Sequence, residues 1–291
     1  MEGKVFFKTK DLMTVGNIGG GLASVLVAME GMGHPEKAGE YLFWAAMCML
    51  IGWVFDCFDG VVARALGQMN QFGAEFDNVA DLASYSIAPS FLLYLAYRSG
   101  FAWLPDPFTG EPVPAWLQTV VAVVVAVIPA LFGCIRFARF NMRKLDIKGF
   151  WIGFPRPASA LLIIGLLNSH LFLKSPTMHW VGVVIVLIAG FMNLSLVPFI
   201  SQHERKWSWY LGTTMHIVWI SVLVAAVLGP FMVLLGPDFL GWIEMREVLP
   251  RRLVFDWILA WLTCYLFIQW TDIPLASRRA IAKLTAGWNE G

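Results

Sequence analysis

The chain has 291 residues, 58% of them hydrophobic and only 14% charged, with a mean hydropathy of +0.66. Soluble domains carry about 25% charged and 45–50% apolar residues, so an ordinary soluble domain is excluded and a polytopic membrane protein is indicated. A formal net charge of +1, with no basic tail or aromatic-interleaved basic stripe, leaves no footing for nucleic acid.

In chain order, "MEGKVFFKTKDLM" mixes Lys with Phe and Met, as a helix in the headgroup plane would; a plain polar leader reads equally well. It shows no signal-peptide pattern. A hydrocarbon core of about 30 Å takes roughly 20 apolar residues, and such stretches lie near 12–29, 41–66, 74–97, 115–140, 157–173, 178–200, 209–235 and 253–270. The expected fold is therefore all-α, a bundle of membrane helices. Cys48, Cys57, Cys134 and Cys264 sit in these apolar segments without zinc-type spacing, and are expected as buried thiols acting as small hydrophobes.

The links alternate in charge. The N-terminal leader, "RFARFNMRKLDIKGFWIGFPR", "SQHERKW" and the tail "SRRAIAKLTAGWNEG" are positive, whereas "EGMGHPEKAGE" and "KSPTMH" are not. The positive-inside rule then puts both termini, the 64–75 turn, the 139–156 link and the 203–206 link on the cytoplasmic side of the inner membrane.

Within this apolar chain, "DCFDGVVARALGQMNQFGAEFDNVAD" gathers Asp56, Asp59, Asp77 and Asp81. Asp56 and Asp59 share one face of the second helix, and Asp77 and Asp81, four apart, share one face of the third. A short turn makes the two helices antiparallel and brings the acidic faces together near the inner membrane edge. Four facing carboxylates cannot all stay ionised beside a single Arg64. Hard oxygen ligands suit divalent Mg²⁺, Mn²⁺ or Ca²⁺, and a pair of ions would suit phosphoryl chemistry. Gly60, Ala63 and Gly73 remove bulk beside the acids, serving either close helix packing or a flat ligand.

The pattern Asp56-x-x-Asp59-Gly60-x-x-Ala63-Arg64, eight residues, Gly73-x-x-x-Asp77-x-x-x-Asp81 resembles the signature of the CDP-alcohol phosphatidyltransferases at every defining position. The resemblance implies a six-helix catalytic core at 12–200, after a juxtamembrane segment at 1–11 and before an extension at 201–291 with two further transmembrane helices. It implies transfer of a phosphatidyl group from CDP-diacylglycerol to an alcohol, and a homodimer. It also implies that Asp56, Asp59, Asp77 and Asp81 hold metal, that Asp81 acts as general base, and that Gly60, Ala63, Arg64 and Gly73 serve the nucleotide.

"DNVADLASYSIAPS", "RFARFN" and "GFPRPASA" further resemble the integral-membrane phosphatidylserine synthase branch of that family. "LMTVGNIGGGLAS" resembles its first span, where Thr14 and Asn17 approach the nucleotide. L-Serine as acceptor needs a partner for its carboxylate or for phosphate, and Arg136, Arg139, Asn141 and Arg156 are the candidates. Arg156 stands where that branch has a small or neutral residue. A choline acceptor on the same reaction is the nearest alternative. An acid-lined transporter is the alternative of another class, though it would not require the glycine and alanine framework.

Overall fold

A computed structural model describes residues 8–67, 70–142, 150–200 and 253–272, with 220, 223 and 224 as isolated positions. The seventh expected span, 209–235, lies outside the described residues apart from those three, as do residues 1–7 and the tail from 273.

Helix α1 (Asp11–Met32) passes through a 3₁₀ turn (Pro35–Lys37) into α2 (Ala38–Leu66). The third span is built from α3 (Gln71–Leu82), a π-helical turn (Ala83–Ile87) and α4 (Ala88–Arg98). Then come α5 (Ala115–Met142), α6 (Arg156–Asn168), α7 (His170–Lys174), α8 (Thr177–Leu194) and α9 (Leu253–Asp272). Strands β1 (Phe150–Ile152) and β2 (Pro198–Ile200) pair antiparallel, with Trp151 opposite Phe199. Among the described residues, six helical stretches are long and apolar enough to cross a membrane. They coincide with the first six expected spans, as a multi-pass helical membrane protein requires.

Lipid offers helices no hydrophobic gain from meeting, so close backbone approach and internal hydrogen bonds hold them together. Helix α1 lies on α2 where Gly20 faces Gly52: a Cβ at Gly20 would stand 2.6 Å from the Gly52 Cα. Helix α2 stops at Gly67, whose φ of +60° suits a left-handed cap. Asn70 then starts α3 by accepting the Gly73 N–H at 3.0 Å. The turn joining the two acidic helices is therefore written at both its ends.

The π-helical turn has a local cause. Pro89 has no N–H to give the carbonyl one turn earlier, and its ring crowds that carbonyl. The helix widens over the preceding residues. Beside it, Ser90 donates to the Ser86 carbonyl at 3.0 Å and accepts from the Ala130 N–H at 3.2 Å.

Helix α9 packs on α6. Gly165 allows this, since its missing Cβ would lie 3.3 Å from the Phe255 carbonyl, and Phe255 and Ile258 are buried in the core. Asp256 accepts the His170 backbone N–H at 2.8 Å and meets the His170 ring at 2.5 Å.

Three expectations need correction. The fifth span is interrupted at Ser169, which is extended and caps α7 with its side chain. The sixth helix ends at Leu194 rather than Ile200, because Ser195 is extended and leads into β2. Cys57, Cys134 and Cys264 are exposed on the helix surfaces and only Cys48 is partly buried; in a membrane protein an apolar segment turns much of its surface to lipid, so a small apolar side chain need not be buried.

Candidate active site

The antiparallel ends of α2 and α3 bring Asp56, Asp77 and Asp81 together, with one carboxylate oxygen from each lying within 4.8 Å of the others. Asp59, one turn beyond Asp56, lies within electrostatic reach of both Asp56 and Asp77. The donors are all hard carboxylate oxygens, so the cluster fits a divalent cation of the Mg²⁺ or Mn²⁺ kind.

Helix α1 covers the cluster with its polar face. The Thr14 hydroxyl donates to Asp59. The Asn17 amide donates to Asp56 at 3.1 Å and to Asp81 at 3.4 Å. Both residues are fully buried. The Ser84 hydroxyl, on the π-helical turn, donates to the Asn17 carbonyl at 3.0 Å, which ties α1 to the third span at this level.

Two cations flank the acids. Arg156, the first residue of α6, donates to Asp81 at 3.2 Å and to the Asn78 carbonyl at 3.5 Å. Lys10 pairs with the buried Asp11 at 2.9 Å and lies within electrostatic reach of Asp77. Lys10 also occupies the space above Gly73, where a Cβ would collide with its ammonium and stand 2.7 Å from both Asn70 Oδ1 and Asp11 Oδ1. The bulk missing at Gly73 is thus filled by an ion pair of α1. The nearest atoms to the open face of Gly60 are those of the Arg64 guanidinium, at 3.3 Å. Ala63 is buried and Arg64 exposed.

Arg136 and Arg139 lie on α5, with Arg136 within electrostatic reach of Arg156. Arg136 donates to the Asn193 carbonyl at 2.7 Å and Arg139 to the Leu194 carbonyl at 2.6 Å. These are the last carbonyls of α8, which lack partners within their own helix, and a cation is favourable at a helix C-terminus. Asn141 is exposed near the end of α5. Of the candidate acceptor residues, Arg156 is the one bonded to an aspartate of the cluster.

Lys10 and Tyr85 join the site without belonging to the aspartate motif. Tyr85 is buried beside Asp56. Its signal was available in the spacing, because Asp77, Asp81 and Tyr85 recur every fourth residue on one helix face. Lys10 stands four residues before Thr14, on the same stripe.

The family model for CDP-alcohol phosphatidyltransferase matches residues 8–189. The chain is 33% identical over 149 residues to the CDP-diacylglycerol–serine O-phosphatidyltransferase of Methanocaldococcus jannaschii, covering 50% of this chain and 58% of that one. It is 29% identical over 239 residues to the protein of the same name from Mycobacterium leprae, covering 79% and 68%. An archaetidylserine synthase of Methanothermobacter thermautotrophicus is 28% identical over 160 residues, covering 54% and 57%. The matched part thus spans less than two thirds of the two archaeal relatives, but the family match takes in α1 to α8 almost to their end, with all four aspartates inside it. On that breadth, the chain belongs to the CDP-alcohol phosphatidyltransferase family.

Proposed function

We propose that the protein transfers the phosphatidyl group of CDP-diacylglycerol to L-serine, giving phosphatidylserine and CMP. The observation that carries this reading is the convergence of Asp56, Asp77 and Asp81 within 4.8 Å at the joined ends of two membrane helices. The names of the relatives point to serine as acceptor.

Asp81 takes the proton of the serine hydroxyl as its oxygen attacks the phosphorus that bears diacylglycerol. The bond from that phosphorus to CMP breaks in the same in-line step. Mg²⁺ or Mn²⁺, as a pair of ions held by Asp56, Asp59, Asp77 and Asp81, would offset charge on the pyrophosphate. Gly60, Ala63 and Arg64 bound the nucleotide side, where the sequence also put Gly73, whose open face holds the Lys10–Asp11 pair. A guanidinium has five N–H donors, so Arg156 retains donors beyond those given to Asp81 and Asn78. A serine carboxylate bound there would leave its hydroxyl beside Asp81. Arg136 and Arg139 are weaker candidates because they bond the end of α8 rather than an aspartate of the cluster.

The positive links support a site and both termini on the cytoplasmic side, where a water-soluble acceptor meets a donor whose acyl chains stay in lipid. Residues 12–200 form the catalytic unit in this reading, 201–291 extend it, and the family resemblance supports a homodimer.

The test is CMP release by purified protein in CDP-diacylglycerol mixed micelles with Mn²⁺, comparing serine, choline, inositol and glycerol 3-phosphate. Serine-dependent release that disappears in Asp81→Asn is the expected result. Release with choline alone would overturn the acceptor, and an active Asp81→Asn would overturn the base.

A further inference from the structure

The four motif aspartates come from α2 and α3, yet each is met by a residue of α1 or by Lys10, which precedes it. Lys10, Thr14 and Asn17 are spaced four and three apart, so they form one stripe of a helix. Lys10 lies by Asp77, Thr14 donates to Asp59, and Asn17 donates to both Asp56 and Asp81. Asn17 is the distinctive member, because its single amide spans the two helices.

We propose that Asn17 is a positioning residue that locks Asp56 and Asp81 into one shared orientation, so that the metal-holding carboxylates and the base are aligned before substrate arrives. The inference deepens the proposed function and rests on its reading of the aspartates as a metal site. It gives Asn17 a different partner from the nucleotide that the sequence suggested.

Three observations support it. Asn17 is fully buried, so it is walled off from a ligand entering the cluster from outside. Its Oδ1 has no hydrogen-bond partner among the described residues; what the site retains from this side chain is the N–H₂ end, and both contacts given for that end are carboxylates. Its backbone is also pinned, because Ser84 holds the Asn17 carbonyl at 3.0 Å and Gly20, one turn on, seats α1 against α2. A neutral donor suits the task. It orients two carboxylates while leaving their negative charge for a cation, whereas a lysine or arginine there would neutralise the charge that attracts the ion. Residues that orient metal ligands in this way commonly change metal affinity or activity by about 10- to 100-fold when removed.

The experiment compares wild type with Asn17→Leu, which keeps nearly the same shape and removes both donors. Mn²⁺ binding is read by electron paramagnetic resonance without nucleotide, and kcat and KM for CDP-diacylglycerol are read at saturating Mn²⁺. The expected result is Mn²⁺ binding weakened by about tenfold or more, a fall in kcat, and an unchanged KM. Unchanged Mn²⁺ binding overturns the proposal, and with a raised KM it returns Asn17 to the nucleotide. Wild type that binds no Mn²⁺ removes the metal reading itself, and the inference falls with it. Should the leucine variant fail to fold, Asn17→Ser decides by the same measurements: its single, shorter donor can restore at most one of the two bonds, so wild-type Mn²⁺ affinity in that variant also overturns the proposal.

Discussion

Replacing Gly20 by alanine tests whether the separation of α1 and α2 sets the geometry of the site. The added Cβ would stand 2.6 Å from the Gly52 Cα and 2.7 Å from the Cys48 carbonyl oxygen. Both obstacles are backbone, so no side chain can rotate away. Carbon atoms settle at about 3.5–4.0 Å, and the two helices must therefore part by roughly 1 Å at this level. Overpacking of this kind costs about 1–3 kcal/mol. The same displacement acts on Asn17, one turn from Gly20, whose bond to Asp56 is 3.1 Å long. Lengthened by that amount, to about 4 Å, it is no longer a hydrogen bond, and misplacement by about 1 Å can lower turnover by roughly 10²-fold. The assay is CMP release with a thermal melt in parallel, and Gly19→Ala is the control. A Cβ at Gly19 meets nothing within 4 Å, so that variant should keep wild-type turnover. Equal activity in Gly19→Ala and Gly20→Ala would refute the coupling of helix separation to the site.

Two further outcomes test parts of the fold remote from the chemistry. Asp106, in the link between α4 and α5, accepts the backbone N–H groups of Phe108 and Thr109 at 2.8 and 3.1 Å, which hold its carboxyl below the usual aspartate value. A depressed folded-state value stabilises fully above the unfolded value of about 3.9 and is lost as pH falls through the folded one. Asp106→Ala should therefore lower the melting temperature near neutrality and lose its effect in acid; a pH-independent difference would contradict this. Gln118 donates to the Tyr97 and Ala102 carbonyls at 2.7 and 2.9 Å and accepts the Leu104 N–H at 3.1 Å. Gln118→Leu strands those groups, each at about 1–3 kcal/mol where water cannot replace the partner, and should lower the melting temperature with KM for CDP-diacylglycerol unchanged.

Much of this architecture is local, and local features are legible in a sequence. Length and hydropathy set the first six spans, because a bilayer demands about 20 apolar residues per crossing. The fixed spacing of Asp56, Asp59, Asp77 and Asp81 identifies the acidic faces, because helical periodicity alone decides which residues share a face. The break at Ser169 and the π-helical turn were harder to see. Both lie inside apolar runs where hydropathy does not change, although Pro89 marked the second.

Only the tertiary structure could decide partners. Arg136, Arg139 and Arg156 look alike as arginines near helix ends, yet two cap α8 and the third reaches Asp81. Gly60 and Gly73 occur in one motif, yet one lies beneath Arg64 and the other beneath the Lys10–Asp11 pair. Asn17 reaches carboxylates 39 and 64 residues away. Periodicity states which way a side chain points along its own helix; what it meets there depends on how closely other helices approach, and that distance is set by the packing of the whole bundle.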